Sequence, residues 1–373
     1  MTSTLPKYRL GISIAHGDRA VVLLKDQVPV KILVEKHNGA ETTNFEIITL
    51  IKSLLAGQAV GVDEIDMVCV AAPWRSTELE DDGATQWLLP LRNLRRQIQQ
   101  DWSFRAETKE QLLEIFGEEM PLHFFAEDQC RSAFTLRRFS QQESLVLNLH
   151  SRPDNHGSTI WKLGPGEIKP LIAFEQDESL EFLLNNLAHF AGFTGPQAIR
   201  GFLNLARMGE ESLLDKLYGV VNVDSDGRVE VDVSQLEASP GGDSTYDDLT
   251  KLFGAPRAPE LPVTVREVDL AASAMSILKT HVNRLSECLI KDQGPLPLII
   301  QSESMFGDIL KAEFEELGLF SEVQWLREKE AVAEALGAGY NSMGEHINWS
   351  FEASNWQPLS YTQIFKDGDK LTP

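Results

Sequence analysis

The stretch "YRLGISIAHGDRAVVLLKDQVPVKILVE", residues 8–35, decides the fold class of this chain. It divides into three apolar runs rich in β-branched residues and separated by tight polar links, so it predicts three consecutive strands. Apolar residues at helical spacing follow at 44–57, and Gly57 is a helix stop signal. A near-continuous apolar run at 65–73 then predicts a strand that is buried on both faces of a sheet.

The same order of elements recurs in the second part of the chain. Strands are predicted at 144–149, 158–164 and 167–174, and a helix is predicted at 177–192. Because internal repeats define an architecture before single motifs do, the predicted fold class is α/β with duplicated lobes. A cleft between two such lobes is where ligands usually bind. The alternative is a plain two-domain α/β protein of another topology.

The predicted division of the chain has two lobes and a tail. Its parts are an N-terminal α/β lobe at 1–140, a second α/β lobe at 141–345 with an inserted segment at 195–267, and a C-terminal tail at 346–373. The insertion contains a hairpin with an Asp226-Gly227 turn. The Pro- and Gly-rich stretch 238–262 predicts a loop.

Charge and cysteine content exclude several classes of partner. Lys and Arg number 34 against 56 Asp and Glu, which leaves a net charge of -22. Such a field repels nucleic acid and anionic membranes, so neither is expected as a partner. The three cysteines are far apart and show no paired metal spacing, which favours a reducing, cytoplasmic location. No signal peptide or membrane helix is predicted.

Six segments together resemble one enzyme family. They are "LGISIAHGDRAVVLL" (10–24), "FAEDQCRSAF" (125–134), "STIWKLGPGEIKPL" (158–171), "RGFLNLARMG" (200–209), "LFGAPRAPELPVTVREVDLAAS" (252–273) and "EALGAGY" (334–340). In this order and spacing they resemble the N-terminal domain of the O-carbamoyltransferases, the nodulation and antibiotic-tailoring type. The resemblance implies duplicated actin/sugar-kinase/Hsp70-like (ribonuclease H-like) lobes with an interlobe cleft. It also implies use of carbamoyl phosphate and ATP, with a divalent metal, to carbamoylate a hydroxyl.

The resemblance places candidate catalytic and phosphate-binding residues near two strand ends. Asp18 keeps one member of the family's polar opening pair, and His16 lies beside the other position, where it could act as a general base. In the loop after strand 144–149, Arg152 could pair with a phosphate while His150 or His156 assists. Equally, these three are ordinary exposed loop residues, and Pro153 has no amide hydrogen to offer an anion.

The nucleotide end departs from the family pattern. Ser302 and Glu303 stand where the family has glycines, and Gly337 lies in the last motif, so these three are the candidate nucleotide-binding residues. A charged Glu303 would stand where a polyphosphate needs close approach to the backbone. Residues 330–333 match a Gly-Asp-Ala-Gly motif of the family but predict uninterrupted helix.

The family's metal site also departs from its pattern. Phe125, Ala126 and Gln129 occupy the stretch where metal-binding histidines are expected. Glu127 and Asp128 could bind a hard cation, but acidic residues at a helix start also suit the helix dipole. No metal site is therefore predicted, and ATP with a divalent metal are expected as cofactors only if the chain is an enzyme.

These departures predict a carbamoyltransferase-like protein with degenerate catalytic motifs, a pseudoenzyme that is non-catalytic or depends on a partner. The partner would be an intact carbamoyltransferase or a chain carrying the C-terminal domain that the resemblance implies. One alternative is an active O-carbamoyltransferase-type enzyme that transfers a carbamoyl group from carbamoyl phosphate to a hydroxyl of a small molecule at a remodelled site. A second alternative is a small-molecule sensor.

Overall fold

In a computed structural model, the protein divides into two compact units. Lobe 1 comprises residues 1–142, 162–170 and 328–373, and lobe 2 comprises residues 143–161 and 171–327. The structure describes residues 8–13, 18–26, 28–35, 45–72, 108–139, 143–149, 158–164, 167–174, 179–231, 247–341 and 362–364.

Thirteen strands are described. They are β1 (Tyr8–Ser13), β2 (Arg19–Lys25), β3 (Val28–Glu35), β4 (Ile65–Ala72), β5 (Leu122–Ala126), β6 (Ser144–Asn148), β7 (Thr159–Gly164), β8 (Glu167–Ala173), β9 (Val221–Val223), β10 (Val229–Val231), β11 (Leu298–Gln301), β12 (Val323–Leu326) and β13 (Thr362–Ile364).

The described α-helices connect and cover these strands. They are α1 (Phe45–Gln58), α2 (108–116), α3 (Glu127–Phe139), α4 (Leu180–Phe190), α5 (Ala198–Leu203), α6 (Leu214–Leu217), α7 (Asp247–Phe253), α8 (Val265–Gln293), α9 (Phe306–Leu317) and α10 (Glu330–Asn341). Short 3-10 helices occur at Val62–Glu64 and Asn204–Met208. Among the described residues, no helix is both long and apolar enough to cross a membrane.

The two large sheets have the same strand order. The first runs β13-β3-β2-β1-β4-β5 and the second runs β12-β11-β6-β7-β8. When the strands of each sheet are numbered along the chain and β13 is left out, both sheets have the spatial order 3-2-1-4-5. In the first sheet, β1 and β2 are antiparallel, whereas β1, β4 and β5 are parallel. The predicted α/β fold with duplicated lobes is confirmed, while the cleft between the lobes stays a prediction.

The sheet of lobe 1 packs on an amphipathic helix and on a helix of small residues. Ile47, Ile51 and Leu54 of α1 are buried with the apolar side chains of β1 and β2. On α10, Ala335 approaches β1 so closely that a Cβ on Gly11 would lie 1.9 Å from its carbonyl oxygen. Only glycine allows this approach, which brings α10 directly onto β1.

The core of lobe 2 is built around α8. This helix buries Leu270, Ile277 and Leu285 along one face, as its apolar spacing predicts. The hairpin of β9 and β10 docks on it, because Nδ1 of His281 lies 2.6 Å from the carbonyl oxygen of Gly227. Gly227 has φ of 82°, in agreement with the predicted turn.

Two sequence expectations differ from the structure. Helix α7 lies inside stretch 238–262, so the loop prediction is wrong for Asp247–Phe253. Leu249 and Phe253, one helical turn apart, are buried in the core of lobe 2 and stabilise this helix despite its Pro- and Gly-rich flanks. Residues 328–341 group with lobe 1, whereas the predicted boundary placed 141–345 together.

Candidate functional site: a buried carboxylate cluster in lobe 1

Polar residues stand at the carboxyl ends of two parallel strands in lobe 1. Ser13 is the last residue of β1, and Glu127 comes directly after β5. Because β1, β4 and β5 are parallel, their carboxyl ends lie at one edge of the sheet, where α/β proteins usually bind ligands. Ser13 is fully buried and Glu127 is 7% exposed.

The start of α10 completes the cluster. The Oγ of Ser13 donates a hydrogen bond of 2.6 Å to Oε2 of Glu334. Just before α10, Nζ of Lys329 donates to Oδ2 of Asp18 over 2.9 Å. Glu330 precedes Glu334 by four residues and so lies on the same face of the helix. Residues far apart in sequence therefore meet in one polar cluster.

Glu127 is the electrostatic centre of this cluster. Burial raises the pKa of its carboxyl well above the usual value, and the neighbouring carboxylates of Glu334, Asp128 and Glu330 raise it further. Arg131 opposes this shift. Among the described residues, Oε1 of Glu127 has no hydrogen-bond partner. The raised pKa shifts Glu127 toward its protonated form, and Oε1 is a buried polar atom without a partner in the described part of the chain.

Asp128 lies beside Glu127 in a different local environment. Its Oδ1 accepts a hydrogen bond of 3.0 Å from the backbone N–H of Gln129, and its position at the start of α3 favours negative charge. The cluster thus combines a carboxyl whose pKa is raised with a carboxyl that accepts a backbone hydrogen bond. Neighbouring carboxyl groups in different environments are a common arrangement in general acid–base chemistry.

The described residues offer no metal centre. In the parts of the chain that the structure describes, no three His, Cys, Asp or Glu side chains are placed to hold a metal ion. The charge of the carboxylates is instead offset from within the cluster. Arg131 is fully buried on α3, and Lys329 pairs with Asp18.

The predicted site residues are found in several places. Asp18 belongs to the lobe 1 cluster, but His16, His150, Arg152 and His156 lie outside the described residues. The catalytic and phosphate-binding roles given to these residues stay predictions.

The three predicted nucleotide-binding residues are all described. Ser302 and Glu303 follow β11 in lobe 2, where Oγ of Ser302 accepts a hydrogen bond from the N–H of Ser304 over 3.0 Å. Gly337 lies in α10 of lobe 1, where a Cβ would stand 1.7 Å from the carbonyl oxygen of Cys130. Close packing of α10 on α3 therefore explains this glycine, and its nucleotide-binding role stays a prediction.

Sequence reasoning missed five members of the cluster, Ser13, Arg131, Lys329, Glu330 and Glu334. One signal could have found the two glutamates, since acidic residues four apart in an alanine-rich, otherwise apolar helix must share one face. Ser13 carried a weaker signal as the first polar residue at the carboxyl end of a predicted strand.

Comparison with known proteins finds one curated relative. No model of a known protein family matches the chain. An uncharacterised protein from Synechocystis is 25% identical over 302 residues, which cover 76% of this chain and 48% of that protein. The chain therefore spans about half the length of the curated relative it matches.

Several solved structures are similar over most of the chain. Component A of (R)-2-hydroxyglutaryl-CoA dehydratase from Acidaminococcus fermentans has a TM-score of 0.45 and 13% identity, covering 90% of this chain and 97% of that one. A ROK hexokinase from Thermus thermophilus has a TM-score of 0.45 and 12% identity, covering 89% and 97%. A putative N-acetylmannosamine kinase from Listeria monocytogenes has a TM-score of 0.41 and 15% identity, covering 91% and 99%. At these values the likenesses say nothing of activity, and the fold class rests on the strand order.

Proposed function

We propose that the chain is a group-transfer protein whose lobe 1 cluster binds a hydroxyl-bearing acceptor and takes the proton of that hydroxyl. The donor would be carbamoyl phosphate or a nucleoside triphosphate, as the family resemblance implies. The observation that carries the proposal is the buried carboxyl of Glu127, whose Oε1 has no partner among the described residues and whose pKa is raised by burial and by neighbouring carboxyl groups. A hydroxyl both donates and accepts hydrogen bonds, so it fits a site that offers both kinds of group.

Energetics favours a functional reason for this arrangement. Burying a charged carboxylate costs several kcal/mol per ion, and a packed apolar core would be more stable. If this strand edge had no function, stability alone would not explain why Ser13, Glu127 and Glu334 are buried together. Strongly perturbed carboxyls of this kind are concentrated in functional sites. Asp128 is the proposed base, and Glu127 is the proposed hydrogen-bond donor to the acceptor oxygen.

The test combines ligand stabilisation with a transfer assay. Melting temperature is measured with carbamoyl phosphate, with ATP–Mg²⁺ and with a panel of sugars and polyols. A ligand at 100 times its Kd stabilises the folded state by about 2.7 kcal/mol. Phosphate release and acceptor modification are then followed for wild type, Asp128→Asn and the control Asp63→Asn, which alters an exposed residue of lobe 1. The proposal predicts turnover that only Asp128→Asn reduces, by 100-fold or more on the order of general-base effects.

A second candidate is the non-catalytic subunit that the sequence predicted. The observation in its favour is α10, which runs uninterrupted from Glu330 and buries Ala331, Val332 and Ala333, in the stretch 330–333 where the family motif is Gly-Asp-Ala-Gly. In that case no donor or acceptor would stabilise the protein or be converted. Stabilisation without a product would instead favour the sensor. Either result would overturn the group-transfer proposal.

A further inference from the structure

Lobe 2 contains two adjoining cavities between α8, α9 and the 3-10 helix Asn204–Met208. Their volumes are ≈ 730 Å³ and ≈ 630 Å³, and small-molecule sites usually have volumes of about 300–1,000 Å³. The residues that line both cavities are Ala206, Met275, Lys279, Glu313 and Glu316. Because the cavities meet at these residues, we call the two together the junction cavity.

Several of the charged side chains that line the junction cavity are already satisfied within lobe 2. Arg200 pairs with Asp308, and Nζ of Lys311 lies 2.6 Å from Oε1 of Glu315. Arg284 donates hydrogen bonds to two backbone carbonyl oxygens at the β9–β10 hairpin. Recognition of a charged ligand therefore depends on the charged side chains that remain.

Arg207 is a positive charge that its surroundings leave unmatched. It lines the smaller part of the junction cavity, and its guanidinium has no hydrogen bond or ion pair with any residue that the structure describes. Asn204, whose side chain carries a further N–H donor, lines the same part of the cavity. A guanidinium binds a carboxylate through two parallel hydrogen bonds, so this part of the cavity suits a carboxylate.

Glu313 provides a negative charge in the same cavity. Its side chain is 14% exposed, and it accepts no hydrogen bond from the described residues. The ion pair that it makes with Nζ of Lys279 spans 3.9 Å, and the same Nζ lies 3.7 Å from Oε2 of Glu316, so this lysine gives neither carboxylate a hydrogen bond. Burial raises the pKa of Glu313, Lys279 opposes this shift, and Glu316 adds to it. A further cation would therefore stabilise the ionised carboxylate.

We propose that the junction cavity binds a small zwitterion, a molecule with one carboxylate and one ammonium group such as a free amino acid. Its carboxylate pairs with Arg207, its ammonium group donates to Glu313, and its apolar part packs on Met275. Arg207 and Glu313 line one cavity, and among the described residues no ion pair joins them, so a ligand can pair with both. A simple anion would leave Glu313 unmatched and would enter against a net charge of -22, and a simple cation would leave Arg207 unmatched. This inference does not depend on the lobe 1 site.

Matched ligands test the need for both charges. The melting temperature of the full chain is measured with each protein amino acid at millimolar concentration, because a ligand of the folded state raises it. Titration calorimetry then compares the amino acid that stabilises most with two analogues, the acid that lacks its amine and the amine that lacks its carboxylate. The proposal predicts that each analogue binds at least about tenfold more weakly, since each loses one charged hydrogen-bonding group. No stabilisation by any amino acid would overturn the proposal, as would an analogue that binds within about twofold of the amino acid.

Substitutions then place the ligand in the junction cavity. Arg207→Gln should weaken binding of the amino acid at least about tenfold while leaving binding of the amine unchanged, because the amine makes no contact with this guanidinium. Glu313→Gln should weaken binding of the amino acid similarly and leave binding of the acid unchanged. Glu260→Gln, an exposed change in lobe 2 outside the cavity, is the control and should bind the amino acid like wild type. If Glu313→Gln melts early, Arg207→Gln alone decides, because that side chain is exposed and its replacement spares the fold. Wild-type affinity in Arg207→Gln would show that the amino acid binds elsewhere and would refute the proposal.

Discussion

Replacing Glu127 by Gln should change how the stability of lobe 1 depends on pH. In an unfolded chain this carboxyl loses its proton near pH 4.5, whereas burial and three carboxylate neighbours keep the proton on in the folded state. Above pH 4.5 the folded state therefore binds more protons than the unfolded state, and stability falls as pH rises. The slope is up to about 1.4 kcal/mol per pH unit until the folded pKa is passed. Gln does not titrate, so the stability of the variant does not fall with pH for this reason.

The free energy of local unfolding of α3 can be measured by amide hydrogen exchange between pH 4.5 and 8. This local probe suits a protein of two units, in which a single unfolding transition cannot be assumed. Glu127→Gln should become progressively more stable than wild type as pH rises from 4.5. Glu334→Gln should reduce the pH dependence of the stability only in part, because burial rather than Glu334 is the largest cause of the raised pKa of Glu127. Glu110→Gln, an exposed change on α2, is the control. Parallel pH curves for wild type and Glu127→Gln would refute the reasoning.

Three further substitutions, with Gly57→Ala as a control, test the packing of the two lobes. Burial lowers the pKa of His281 to about 4, so between pH 6.5 and 4 the unfolded state binds a proton that the folded state does not bind. Urea titrations should therefore show the free energy of unfolding of wild type falling by about 3 kcal/mol over this range. The His281→Asn variant should not show this fall. Gly337→Ala should destabilise lobe 1 by roughly 1–3 kcal/mol, because its Cβ would meet the carbonyl oxygen of Cys130. Gly57→Ala, with open space around it, should be neutral or stabilising by up to about 1 kcal/mol, and melting curves of the two compare them. Arg257→Lys should lower the urea midpoint by the equivalent of at least about 2 kcal/mol, because buried carbonyl oxygens lose their donors. An unchanged midpoint would show that the loop before α8 does not need the guanidinium.

The fold was readable from sequence because its signals are local. Three β-branched runs within 8–35 predict a meander by themselves, and the repeat of that order predicts a second lobe. Helix α7 was missed because its two core contacts, Leu249 and Phe253, stand between Pro- and Gly-rich flanks that predict a loop. There, tertiary packing outweighed local composition.

The candidate site was less predictable because it depends on distant pairs. Ser13 and Glu334 are separated by 321 positions, and no periodicity in one sequence links them. Asp18 was identified by resemblance, but its partner Lys329 was not, since a lysine before a helix is ordinarily a solvated surface residue. Glu127 and Asp128 were noticed as acidic residues at a helix start. Their burial, which gives the pair its chemistry, follows only from the packing of α3 and α10.

The most direct test of the carboxylate cluster is infrared difference spectroscopy of wild type against Glu127→Gln at pH 7. A protonated carboxyl has a C=O stretch that is distinct from that of a carboxylate, so the side chain reports its own proton. The raised pKa of Glu127 predicts a protonated-carboxyl band in wild type that vanishes in the variant, while Glu110→Gln keeps it. If wild type instead shows only an additional carboxylate band, Glu127 is ionised and the lobe 1 cluster does not hold the proton that the proposed chemistry requires.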